Sequence, residues 1–153
     1  MTRIAIAAAA LALVATTAAS AASSASYRGK TKGGTSITFN VAGNRISAVR
    51  SSVPTVCVET TGSGQTRAGV ELYQPSTTFT LGTTAKTKGL QRSAMNAANP
   101  TTMNYTFTSK KTASGAIAGT LKISFSFLRP GIDLYHSYIF LCSSTTTFTA
   151  SAR

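Results

Sequence analysis

Asp133, His136 and Ser137 bring an acid, an imidazole and a hydroxyl close together in the chain, and His136 is the only histidine. A serine hydrolase needs these three groups, but they are recognised by their arrangement in space, and the usual nucleophile turn, Gly-x-Ser-x-Gly, is absent. The spacing favours a simpler interpretation, in which Asp133 caps a turn and His136 lies on a strand. We therefore assign no catalytic residue.

The carboxylates are too few for most other site chemistry. Glu59, Glu71 and Asp133 are the only acids, against 15 Lys and Arg. Glycoside hydrolysis needs two carboxylates facing one bond, whereas each acid here is more simply the partner of a cation. Calcium needs several oxygen ligands, and structural zinc needs more than two cysteines and one histidine. The sequence predicts no enzyme, no metal and no cofactor.

The first residues are typical of a secretory signal peptide. Arg3 carries the charge, residues 4–15 are an apolar run, and small residues follow. The apolar run is shorter than the roughly 20 residues that span a bilayer. Ala19-Ser20-Ala21 and Ser23-Ser24-Ala25 both fit the small-x-small cleavage rule. We predict a signal peptide over residues 1–25, one domain over residues 26–153, and a protein that is secreted or associated with the cell wall, with no transmembrane segment after cleavage.

Export bears directly on the two cysteines, Cys57 and Cys142. An oxidising compartment lets two thiols in one small domain pair and stay paired. We therefore expect a Cys57–Cys142 disulfide, since each cysteine has only one possible partner within the chain.

The positive charge is the most unusual global property. The chain has 15 Lys and Arg against 3 acids, so removing Arg3 with the signal peptide leaves 14 cations and a net charge of +11. Cations on a mostly neutral surface raise the local concentration of anions. The candidate polyanion-binding residues are Arg28, Lys30 and Lys32 on one strand face, Arg45 and Arg50 beside the next hairpin arm, and Lys86, Lys88 and Arg92 in a long loop.

The expected partners are anionic cell-wall polymers or acidic glycans. Sequence-specific nucleic-acid binding is not expected, because no recognised motif or aromatic stacking platform is present. The sequence leaves a carbohydrate-binding module and a structural or inhibitor module open as alternatives. It also leaves open a basic surface that only keeps an exported protein soluble.

Residues 115–127 hold the longest regular pattern. Apolar residues fall on one parity and polar or small residues on the other, which predicts a long antiparallel strand with one buried face. The apolar parity contains Ile117, Leu121, Ile123, Phe125 and Phe127, with Gly119 as the only gap.

Similar but shorter patterns predict about ten short strands and no long helix beyond the signal. Residues 27–31 are interpreted as an edge strand, and Pro54 as the start of a strand at an edge or bulge. Residues 82–103 are predicted to be a loop with one or two helical turns. The expected fold is all-β, an antiparallel two-sheet β-sandwich, with a closed β-barrel as the alternative.

The chain contains a set of short motifs: Tyr27-x-Gly29-x-Thr31, Ile37-x-Phe39-x-Val41, Cys57, Gly115-x-x-x-Gly119-x-Leu121, Cys142 and Phe148-x-Ala150-x-x-Arg153. Together these motifs resemble those of small secreted β-sandwich proteins of high-GC Gram-positive bacteria. The resemblance implies a secreted β-sandwich and no particular activity.

Overall fold

The computed structural model of the chain describes residues 23–62, 64–130 and 137–153. Most of the predicted signal peptide, together with Asp133 and His136, lies outside these residues. Within them the chain forms nine strands and no helix, so the all-β prediction is confirmed. The strands are β1 Ser24–Thr31, β2 Ser36–Ala42, β3 Arg45–Glu59, β4 Thr66–Tyr73, β5 Phe79–Thr80, β6 Thr84–Ser93, β7 Asn96–Lys111, β8 Ile117–Pro130 and β9 Ser137–Ala152.

All nine strands belong to one antiparallel sheet with the order β4-β3-β2-β1-β9-β8-β7-β6, and β5 pairs with the start of β3. The two layers of the predicted sandwich are halves of this single sheet, which face each other across an aromatic core. Phe107 of β7 packs against Phe79 of β5, with ring centroids 4.7 Å apart, and against Phe39 of β2 at 6.5 Å. No helix in the described part of the chain is long and apolar enough to cross a membrane.

β3 links the two layers because it has different partners along its length. On one edge it pairs with β2 as far as Ser51 and then with β9 from Val56. On the other edge it pairs with β5 and β4. Pro54 lies in the interval between β2 and β9, where a strand can tolerate the missing N–H of proline.

The strand predicted to start at Pro54 is the later part of β3, which begins at Arg45 and contains a bulge. The pairing register with β2 shifts between Thr38 and Asn40, and Ala48 has a φ of 52°. The extra residue reverses the parity of the strand, so Ile46 and Val49 are both fully buried although they are three positions apart.

Residues 82–103 are not the predicted loop, because β6 and β7 form an antiparallel hairpin there. The alternation of apolar and polar residues that marks a strand is absent from β6, because its inward side chains are small or polar, as at Gly89 and Gln91. Tyr105 of β7 fills the space they leave. A Cβ at Gly89 would lie 3.3 Å from the Tyr105 ring, and the Tyr105 hydroxyl donates to Gln91 Oε1 at 2.8 Å.

β1 is also not the predicted edge strand, because it pairs with β2 on one side and β9 on the other. Gly29 permits this position, since a Cβ there would collide with the carbonyl oxygen of Thr149. The sheet edges are β4 and β6. Lys86 and Lys88 on β6 are suited to discouraging unwanted pairing at an edge.

Glu71 holds the two edges of the sheet together. Its side chain is 1 % exposed and accepts hydrogen bonds from Ser93 Oγ at 2.6 Å and from the Ala94 N–H at 3.1 Å. Gln91 Nε2 donates to the Leu72 carbonyl oxygen at 2.8 Å. A buried carboxylate is costly unless it is hydrogen-bonded, so these donors offset the cost and fix the β6–β7 turn against β4.

Tyr73 and Tyr105 lie beside this closure in an edge-to-face pair, with centroids 5.1 Å apart. Burial raises the pKa of Tyr105 to about 12, and the Glu71 carboxylate adds to the rise. Burial also raises the pKa of Tyr73 well above its ordinary value, with a further contribution from Tyr105.

These shifts predict a loss of stability in alkali. The tyrosines lose their protons near pH 10 in the unfolded chain but only at higher pH in the folded protein. The free energy of unfolding therefore keeps its full value below about pH 10 and falls above it. Each tyrosine should lower the free energy of unfolding by about 1.4 kcal/mol per pH unit between about pH 10 and pH 12. Urea unfolding at a series of pH values measures the slope. Tyr105→Phe should remove about half of it, and a slope near zero in the wild type would contradict the prediction.

Cys57 and Cys142 lie directly opposite each other in the β3–β9 pairing and form a disulfide, as predicted. Their Cα atoms are 3.9 Å apart, and 85 positions separate them in the sequence. Both cysteines are buried, and Cys57 Sγ contacts Met95 Sδ at 3.1 Å. The bridge thus joins β3 to β9 within the segment in which these two strands pair.

Replacing both cysteines, Cys57→Ala with Cys142→Ala, should lower the free energy of unfolding by roughly 4 kcal/mol, because the bridge restrains a long loop in the unfolded chain. Urea unfolding of the variant and of the oxidised wild type gives the difference. Non-reducing mass spectrometry of the native protein is the control and should recover one cross-linked peptide pair. Two thiols open to alkylation would contradict the bridge.

Candidate functional site: a threonine row flanked by lysines

The described basic and acidic residues lie in different places, the basic ones on the surface and the acidic ones in the interior. All 14 Lys and Arg residues in the described part of the chain are exposed. The two acids described there, Glu59 and Glu71, are buried, with exposures of 4 % and 1 %. The surface of the described residues therefore presents cationic side chains without any carboxylate side chain.

A row of threonines crosses four adjacent strands on the outer face of the sheet. Each member lies directly opposite the next, and the row spans about 14 Å because neighbouring strands are about 4.8 Å apart. The row consists of Thr84 on β6, Thr108 on β7, Thr120 on β8 and Thr147 on β9. It lines a groove of about 540 Å³ together with Lys110, Ala118 and Thr149. Its hydroxyl groups can donate and accept hydrogen bonds.

Lysines stand on both sides of this threonine row. On one side Lys86 and Lys122 are both opposite Thr106, which places them about 10 Å apart. On the other side, Lys110 of β7 is opposite Ala118 of β8, which is opposite Thr149 of β9, and Thr149 is opposite Lys30 of β1. Lys110 and Lys30 are therefore three strand spacings apart, about 14 Å. We call the threonine row and these four lysines the basic face.

Gly119 fixes the geometry under the row. A Cβ at Gly119 would collide with the carbonyl oxygen of Thr108 and would lie 2.8 Å from the Phe148 ring. The Thr120 N–H donates to Thr108 Oγ1 at 2.9 Å. The single gap in the apolar pattern of β8 therefore lets three strands and an aromatic ring pack closely beneath the groove.

The structure brings only some of the predicted cations to this face. Lys30 and Lys86 belong to it, and Lys88 is the next outward residue on β6. Lys110 and Lys122 were missed by the sequence analysis. Lys122 alternates with the apolar residues of 115–127, so the pattern predicted that its side chain points to solvent. No pattern indicated which strand would lie beside it.

The other predicted cations lie elsewhere. Arg28 and Arg50 form a second group, since both are opposite Thr38 of β2. Arg45 Nη2 donates to the Thr78 hydroxyl at 3.3 Å. Lys32 follows β1 in the turn to β2, and Arg92 lies near the end of β6.

The aromatic side chains of the described residues do not form an exposed platform. Tyr73 and Tyr105 are buried, as are all seven Phe residues, while Tyr27 and Tyr138 are half-buried. Stacking on sugar rings or bases needs open aromatic faces. In the described part of the chain, the groups offered for recognition at the surface are therefore hydroxyl groups, amides, cations and aliphatic side chains.

Among the described residues no three His, Cys, Asp or Glu side chains come close enough together to hold a metal ion. The acid and imidazole of the hydrolase hypothesis, Asp133 and His136, lie outside those residues. Comparison with protein-family models, with curated proteins and with solved structures finds no match to the chain.

Proposed function

We propose that this is an exported protein that binds anionic cell-wall polymers or acidic glycans through its basic face, without a catalytic step. The observation that supports the proposal is the division of charge, with every described cation exposed and both described acids buried. A surface of this kind attracts polyanions over distances comparable with the Debye length, about 8 Å at physiological salt.

The basic face suits an extended anionic polymer better than a small anion. Its lysines are separated by about 10 Å and about 14 Å, so they can meet successive charged groups along a chain. The threonine row between them offers hydroxyl groups to the neutral parts of such a polymer. The buried aromatic residues favour this mode over stacking of neutral sugars.

A triple variant, Lys86→Gln with Lys110→Gln and Lys122→Gln, should weaken retention on purified cell wall and on heparin. Each lysine that contacts the polymer adds on the order of one to the slope of log affinity against log salt, so the variant should lose roughly two to three from this slope. Binding at rising salt measures the slope directly.

The matched control is Arg28→Gln with Arg45→Gln and Arg50→Gln, which removes the same charge from outside the basic face. This control should keep most of the wild-type slope. Equal losses in the two variants would mean that total charge, not the basic face, determines binding. Retention that ignores salt would overturn the electrostatic proposal.

The proposal of export also predicts the position of signal cleavage. Ser24 and Ala25 pair with Ala42 and Val41 at the start of β1, so cleavage after Ala25 would remove two paired residues. Cleavage after Ala21 would leave the whole strand intact. N-terminal sequencing of the secreted protein should therefore begin at Ala22, which revises the boundary after residue 25 that the sequence alone predicts. A start at Ser26 would contradict the revised prediction.

A further inference from the structure

The described residues expose seven large hydrophobic side chains, and six of them are gathered on one part of the sheet. These six lie on the outer face of β8, β9, β3 and β4. They are Leu128, Ile139, Leu141, Val58, Val56 and Val70, with exposures from 37 % to 59 %. We call them the aliphatic face. The seventh, Leu90, is alone on β6 and is 72 % exposed.

The strand pairing makes the aliphatic face continuous. Val58 of β3 is directly opposite Leu141 of β9, and Ile139 of β9 is directly opposite Leu128 of β8. Directly opposite residues have Cβ atoms about 5 Å apart, close enough for contact between side chains. On the far side of β3, Val70 of β4 is opposite Pro54.

The last part of β3 carries aliphatic side chains on its outer face as well as on its inner face. Its outward residues Val56 and Val58 are 47 % and 44 % exposed, although the inward residues Val53 and Cys57 already supply the core. Scattered exposed aliphatic residues are ordinary, but a continuous group of them marks an interaction site.

Cations border the aliphatic face. Arg50 lies further along the outer face of β3, and Lys32 shares a pocket lining with Pro54. On β8, Arg129 is exposed next to Leu128. Within the face itself no side chain is charged.

This combination of a neutral apolar centre and a cationic border distinguishes between possible partners. A second copy would bring cationic borders together, and the described residues offer no exposed carboxylate side chain to pair with them. An anionic bilayer would instead accept the aliphatic side chains at its interface and place its headgroups against Lys32, Arg50 and Arg129.

We propose that the aliphatic face docks onto membrane surfaces that contain anionic lipid. The protein lies on the bilayer and does not span it. The basic face is a separate surface of β6–β9 and β1, so the domain can hold a bilayer and an anionic polymer through different residues.

Co-sedimentation with vesicles tests the proposal. The purified protein should bind vesicles of phosphatidylcholine mixed with phosphatidylglycerol and should bind pure phosphatidylcholine vesicles much more weakly. Val58→Thr with Leu141→Thr should lower the partition coefficient at least tenfold, because two exposed aliphatic side chains are lost from the interface. Threonine favours strands, so the fold should survive.

Leu90→Thr is the matched control, since it removes the most exposed aliphatic side chain from outside the aliphatic face. It should leave vesicle binding unchanged. Heparin retention of the Val58→Thr with Leu141→Thr variant should also be unchanged, which separates this proposal from the polymer-binding one.

A fluorescent reporter provides a second measurement that does not depend on weakened binding. The chain contains no tryptophan, so a single tryptophan reports its own surroundings. Leu141→Trp should shift its emission to shorter wavelength on addition of the anionic vesicles, whereas Leu90→Trp should not.

Equal vesicle binding by Leu90→Thr and by the Val58→Thr with Leu141→Thr variant would overturn the proposal. So would an unshifted Leu141→Trp emission in vesicle-bound protein. Absence of vesicle binding, with self-association in sedimentation velocity that disappears in the Val58→Thr with Leu141→Thr variant, would assign the face to a second copy instead.

Discussion

The direct pairing of β3 with β9 is the interaction on which the remaining structure depends. β3 begins beside β2 and ends beside β9, so one strand closes a ring through β2, β1 and β9. The Cys57–Cys142 bridge makes this pairing covalent. Without it, the half of the sheet that carries β4 could move away from the half that carries β8. The aliphatic face would then lose its continuity, because Val58 and Leu141 meet only through this pairing.

A second constraint is the interior position of the acids. Glu71 is buried for a structural reason, since it accepts hydrogen bonds from the β6–β7 turn and joins the two sheet edges. A neutral hydrogen-bonded pair could serve a similar purpose at lower desolvation cost. Because Glu59 and Glu71 are buried, the surface of the described residues exposes cationic side chains and no carboxylate side chain. The burial of these two acids therefore leaves the outer faces of the described residues cationic.

Much of the fold could be predicted from the sequence, because period-two alternation is strong wherever large apolar residues face inward. This held for β8, which contains most of residues 115–127. The Cys57–Cys142 bridge was predicted for a different reason, since each cysteine has only one possible partner within the chain. The alternation failed where the inward residues are small or polar, as in β6, whose space is filled by the Tyr105 ring of a neighbouring strand. It failed again in β3, which runs through Pro54 although a strand was predicted to start there, and whose parity changes at the bulge beside Ala48.

The candidate faces were less predictable, since they depend on register between strands that are distant in sequence. Lys86 and Lys122 stand on one row only because both pair with Thr106. Local pattern shows that a lysine points outward, but it does not show which strand will lie beside it. The outward valines of β3 were hidden for a related reason: a run of apolar residues does not reveal which of them will be buried.

The pairing of β3 with β9 can be tested directly by nuclear Overhauser effects between Hα protons. Cys57 and Cys142 have Cα atoms 3.9 Å apart, and Glu59 lies opposite Phe140 two residues further along the same pair of strands. Antiparallel pairs alternate between wide and narrow, so both of these pairs should be narrow and give strong Hα–Hα signals. Signals from both pairs are the predicted result. A Cys57–Cys142 signal without one between Glu59 and Phe140 would mean that the disulfide ties two strands that do not pair, and would contradict the account.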